Sequence, residues 1–143
     1  MILPMIGHSL LLPTNSVAEM SAVTPLRTLE NVPEWMLGYY SWRGIEVPVV
    51  SIESINGEAK HPLNPQGRIA VLNNTGVDPK LPFVAIHTQG IPRMTRVAEN
   101  DISEHAKQRR AFDLMAVKVG LEEFFLPNIT AIEAAYLRLD LPA

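Results

Sequence analysis

There is no cysteine in this chain, and that one absence removes disulfide frameworks, thiolate metal sites, iron–sulfur clusters and cysteine nucleophiles together. Aromatic residues make up only 6%, and a formal net charge of −3 provides no general basic field. A small barrel that binds nucleic acid needs stacking aromatics on a basic face, so that function stands only as the alternative reading. No apolar run approaches membrane-spanning length, and the first residues, Met1-Ile2-Leu3-Pro4-Met5-Ile6-Gly7-His8, carry no basic segment of the kind that opens an export signal. A cytoplasmic location without membrane insertion is expected. There is no G-x-S-x-G, no phosphate-binding loop and no G-x-G-x-x-G, and His8, His61, His87 and His105 lack metal-ligand spacing. Neither an enzyme nor a metal or cofactor site is expected.

What is present is a folded composition. With 143 residues, 47% of them hydrophobic and 19% charged, the chain is read as one domain over residues 1–143 with a core of ordinary size. Twelve prolines and eight glycines divide it into short pieces. Strand-like runs, most of them rich in Val, Ile, Leu or aromatics, cover residues 9–13, 36–42, 45–52, 68–72, 83–87, 93–97, 114–119 and 122–126. Asn73-Asn74-Thr75-Gly76 and Val77-Asp78-Pro79-Lys80 are turn chemistry. Many short strands with Gly/Pro punctuation point to a barrel or sandwich rather than alternating βα units.

The clearest hairpin runs from Met36 to Ile52, turning at Arg43-Gly44, where glycine supplies a positive φ. Pro48 cannot donate a ladder hydrogen bond, which predicts an edge or a bulge at that position. A second hairpin turns near Gly120, with Glu122-Glu123 at a solvated tip. Ser16-Val17-Ala18-Glu19 and Thr130-Ala131-Ile132-Glu133 both match a reciprocal helix-capping box. The first predicts at most two helical turns before Thr24-Pro25. The second opens a helix whose apolar face is Ile132, Ala135, Tyr136 and Leu139. His87, in a strand read as alternating, is expected to be half-buried or at the surface. Lys107-Gln108-Arg109-Arg110 is the one basic run, read as a solvent-exposed loop or short helix, or as a grip on an acidic surface. Arg43 stands among apolar neighbours with three readings open: free, in contact with a partner, or held by an internal carboxylate, for which Glu19 is the candidate.

The order of these features resembles the CheW-like domain family of chemotaxis adaptor proteins. Leu10-Leu11-Leu12-Pro13 and Val17-Ala18-Glu19-Met20 resemble its entry strand and V-x-E-apolar motif. Thr24-Pro25-Leu26, Pro33, Met36-Leu37-Gly38, Ser41-Trp42-Arg43-Gly44 and Pro48-Val49-Val50 follow at similar spacing. The family pattern has an N-[LW]-R-G turn and a P-[VI]-[VI]-D strand. Here Ser41 replaces the Asn, Ser51 the Asp, and Thr88-Gln89 a later Val-Asp, so the chain reads as a divergent member. The resemblance implies an all-β fold with minor helix: two intertwined five-stranded barrels sharing a core, and a short C-terminal helix. It implies a non-enzymatic scaffold joining the regulatory domain of a CheA-type histidine kinase to chemoreceptor tips, in chemotaxis or pilus-motility signalling. It also implies a partner-binding set of Val17, Glu19, Met20, Trp42, Arg43 and Gly44, with Glu19 and Arg43 paired to fix the turn.

Overall fold

The computed structural model describes residues 1–96, 102–104 and 109–142, and the backbone alone of Glu104. In chain order the elements are β1 (Ile2–Pro4), β2 (Ser9–Leu11), β3 (Val17–Ala22), β4 (Met36–Trp42), β5 (Ile45–Val50), α1 (Ile52–Ile55), β6 (Arg68–Asn73), β7 (Phe83–Thr88), β8 (Ile102–Glu104), β9 (Asp113–Val119), β10 (Glu122–Pro127) and α2 (Ile129–Arg138). They build two five-stranded sheets, ordered β1-β2-β10-β9-β8 and β3-β6-β7-β5-β4. The chain starts in the first sheet, makes all of the second, and returns to finish the first. That interleaving is the intertwined two-barrel plan implied by the resemblance.

Both faces of the second sheet are buried, which is why its strands read as near-continuous apolar runs. Side chains alternate across a strand. Val47, Val49, Ile69, Val71 and Ala85 enter a core enclosed by this sheet, whereas Val50, Ala70, Leu72, Val84 and Ile86 face the other way. On that second face they meet Leu3, Leu10 and Leu12 of the first sheet and Ile129, Ile132 and Ala135 of α2. This shared core joins the two sheets. Leu10, Ile52, Ile86 and Ile132 are wholly buried in it, each contributing about 1.5–3 kcal/mol. A smaller cluster of Ile2, Leu11, Val117 and Phe124 fills the first sheet.

The two edges of the second sheet are drawn together. β3 and β4 stand at opposite edges of the second sheet, yet Tyr40 Oη donates to the Ala22 carbonyl at 2.8 Å. Beyond β3, Arg27 exchanges two backbone hydrogen bonds with Tyr39 of β4, 2.9 and 3.0 Å long. In the first sheet, Arg93 bridges Ile2 of β1 in the same manner. The seam of the second sheet is thus closed by a single bridge and a side chain rather than by a full ladder.

Several expectations are corrected. Residues 17–19 are not helical: only a 3-10 turn at Thr14–Ser16 precedes β3, because Val17–Ala22 pairs with β6. The 93–97 run is reduced to the lone bridge at Arg93, with Val97 outside the described residues. The fifth strand stops at Val50, because Ser51 caps α1. Pro48 sits in an inner strand, neither at an edge nor at a bulge of its own. Its partner Tyr39 directs its polar backbone groups to Arg27, and β5 pairs with β7 only from Val49 onward, so the missing N–H leaves no acceptor short.

α2 forms as expected, with Ile132 and Ala135 buried, but its cap is Asn128, whose side chain accepts from the Ala131 N–H at 3.0 Å. The Glu133 carboxylate, wholly buried, instead accepts the Thr75 N–H. His87 is buried, 5% exposed, with Nε2 accepting from the Asn64 N–H at 3.2 Å, because β7 is covered on both faces. Of the basic run, Lys107 and Gln108 lie outside the described residues. Arg110 is no surface cation: its side chain is 13% exposed, forks onto Asp113 at 2.9 and 3.0 Å and covers the Phe125 ring.

Candidate partner-binding site

The β4–β5 hairpin ends in a two-residue turn in which both Arg43 (φ 50°) and Gly44 (φ 77°) are left-handed. Two positive φ values match the right-handed twist of the flanking strands. Gly44 accepts this conformation freely; Arg43 accepts it at some cost in strain. The result is an arginine held at the exposed tip of a well-paired hairpin, running from Met36–Val50 to Trp42–Ile45.

Across the seam, Arg43 Nη2 donates to Glu19 Oε1 at 2.7 Å. The other carboxylate oxygen, Oε2, accepts from Ser21 Oγ at 2.8 Å. Arg43, then Ser21 and the nearby Trp42 indole, hold the Glu19 carboxyl below its usual range. Beneath the guanidinium lies the Trp42 ring, 5.1 Å from ring centre to the Arg43 Cζ, and Trp42 packs edge-on to Phe83 of β7 at 4.8 Å. An aromatic pair of this geometry contributes about 0.5–1.5 kcal/mol beyond its burial. Trp42 and Phe83 also close the end of the second sheet's core.

The expected set is therefore only partly gathered. Glu19, Trp42, Arg43 and Gly44 meet at the tip. Val17 and Met20 pack against the shared core, partly buried: Met20 alternates away from Glu19, and a bulge between Val17 and Glu19 brings Val17 to the same face as Met20. Ser21 and Phe83 belong to the site and were not anticipated. Ser21 was accessible to strand periodicity, lying two residues beyond Glu19 on one face; Phe83 arrives from a distant strand. A second pair, Arg27 Nε to Glu46 Oε1 at 3.0 Å, flanks the hairpin, with Arg27 over the Tyr39 ring. Beside it a groove of about 520 Å³ is lined by Tyr39, Glu46, Pro48, Phe83 and Tyr136 among others, and the Tyr39 and Tyr136 hydroxyls bond at 2.6 Å.

Ser51, where the family pattern has Asp, accepts the Ser54 N–H at 3.1 Å as the N-cap of α1. Ser and Asp are equivalent caps, so this departure keeps the local structure. Gln89 Oε1 accepts from Asn64 Nδ2 at 3.4 Å, and Ser41 is exposed opposite Glu46. Among the described residues no three His, Asp or Glu side chains are grouped to hold a metal ion, and no helix is long and apolar enough to cross a membrane.

Residues 2–132 match the family model described as CheW-like domain. A crystal structure of the scaffolding protein TtCheW from Thermoanaerobacter tengcongensis superposes with a TM-score of 0.74 at 16% identity, covering 88% of this chain and 85% of that one. No curated protein matches the sequence.

Proposed function

The chain belongs to the CheW-like domain family, and on that premise we propose that it is a non-enzymatic adaptor of bacterial chemotaxis-type signalling. In this reading it joins the regulatory domain of a CheA-type histidine kinase to chemoreceptor tips in the cytoplasm, in a flagellar or pilus-motility pathway. The observation that carries it is the Glu19–Arg43 pair at the exposed β4–β5 tip. An arginine presented on a rigid hairpin, braced by a carboxylate and stacked on Trp42, is a preorganised contact for another protein. Val17 and Met20, partly exposed at the neighbouring β3 edge, extend the surface on the side of the shared core. A nucleic-acid surface is less well supported, since Arg27 and Arg43 are each matched to a carboxylate.

The reading is tested by titrating the purified protein with the regulatory domain of a CheA-type kinase and with a receptor-tip fragment from the same organism. Saturable binding to both supports it. Binding to neither removes it.

A further inference from the structure

Asn56-Gly57 is the one Asn-Gly step in the chain. With no side chain on the second residue, little hinders the Gly57 backbone nitrogen from attacking the Asn56 side-chain amide. In the fold that amide is engaged at both ends. Its Nδ2 donates to the Ile52 carbonyl at 2.9 Å, and its Oδ1 accepts the Phe112 N–H at 2.8 Å. The Gly57 N–H is itself committed to the Ser54 carbonyl at 2.9 Å. Asn56 ends α1 with a ψ of 8°, which turns the Gly57 nitrogen away from the Asn56 side chain. The Phe112 carbonyl in turn accepts the Asn128 N–H at 2.8 Å. Phe112 thus joins the end of α1 to the cap of α2, at the entry to β9. Gly57 is exposed and Asn56 half-buried, so solvent reaches the turn.

We infer that Asn56 is a deamidation site gated by its contact with Phe112. It stays an amide while the two turns are joined, and converts to an acid when they part. The chemistry needs only water. The Gly57 nitrogen bonds to Asn56 Cγ, the Cγ–Nδ2 bond breaks, and Nδ2 leaves as ammonia with the proton from the Gly57 nitrogen. Water then opens the cyclic imide at one of its two carbonyls, giving aspartate or isoaspartate with no change of oxidation state. Neither product restores the joint. Aspartate sets a carboxylate oxygen against the Ile52 carbonyl, acceptor against acceptor, and isoaspartate adds a methylene to the backbone. Conversion is therefore a one-way record of opening between α1 and the start of β9, and it is independent of the adaptor reading.

The test incubates the native protein, and the same chain unfolded in guanidinium chloride, in mildly alkaline buffer. Conversion at residue 56 is followed by peptide mass analysis, with Asn56→Gln, whose larger ring closes far more slowly, as the control for the site. Hydrogen exchange of the Phe112 amide in the native protein measures how often the contact opens. The unfolded chain should convert at residue 56. The native protein should convert at least about tenfold more slowly, by the same factor that protects the Phe112 amide. Equal rates in native and unfolded chains overturn the protection. Native conversion well above or well below what Phe112 opening allows overturns Phe112 as the gate. An Asn56 that survives unfolding overturns the site.

Discussion

Arg43, in the turn that ends edge strand β4, and Glu19, on the opposite edge strand β3, meet at 2.7 Å across the seam where that sheet curls on itself. Both side chains are substantially exposed, so their pairing does little for global stability. Its consequence falls on the shape of the turn. Glu19→Ala, Arg43→Ala and the double variant should each melt close to the parent protein. Affinity for the kinase domain or receptor tip should fall about tenfold in the Arg43 variant, the scale of an arginine at the centre of an interface. The combined loss should be clearly less than the product of the single ones, as coupled residues require. Multiplicative losses would mean that the two residues act independently and that Arg43 is a partner contact only.

Gly44→Val isolates the backbone contribution. A Cβ at Gly44 meets no atom within 4 Å, so any loss of stability comes from the positive φ alone. A β-branched residue there should cost about 1–3 kcal/mol, whereas Gly44→Asn, which tolerates the left-handed region, should retain most of it. Thermal melts of the two variants check the difference. Equal midpoints for valine and glycine would show that the turn is built in another way.

Ser51→Ala should lower stability by about 0.5–2 kcal/mol by removing the cap of α1, and Ser51→Asp should preserve the cap. Chemical denaturation of the three proteins measures this. An alanine variant as stable as the parent would show that Ile52–Ile55 is held by its burial alone.

Two histidines with hydrogen-bonded rings, His8 and His87, predict an acid dependence. His8 Nδ1 donates to the Ile6 carbonyl and Nε2 faces Arg110 Nη1 at 3.0 Å, so the ring is held neutral. Burial first, and Arg110 second, lower its pKa below 6.5; burial lowers that of His87. A base with a depressed folded-state pKa binds fewer protons folded than unfolded. Its stability contribution is therefore full above pH 6.5 and is lost as the pH falls below that value. The melting temperature should decline as the pH falls below 6.5, with a shallower decline in the His8→Asn, His87→Gln double variant. An identical slope in that variant would contradict the assignment.

The hairpin of β4 and β5 was legible because two apolar runs flank an Arg-Gly pair, a local signal that needs no tertiary information. α2 was legible from the spacing of Ile132 and Ala135. Other features were decided by partners distant in the chain. Ser16 to Glu19 spells a capping box, but β6 claims the backbone of Val17–Ala22 and Arg43 claims the Glu19 carboxylate. Glu133 likewise answers to Thr75 rather than to its own helix. His87 looked half-buried because a single strand does not reveal that both faces of its sheet are covered. Phe83, beneath Trp42, carried no local mark at all.

In the proposed function this chain couples other proteins and performs no chemistry of its own. The most direct measurement combines the purified protein with a CheA-type kinase, a receptor-tip fragment and labelled ATP, following complex formation and phosphoryl label together. The account predicts that the kinase and the receptor fragment associate only when this chain is present, and that the chain itself carries no label. Association that is indifferent to the chain, or stoichiometric label on it in the absence of kinase, would contradict the account.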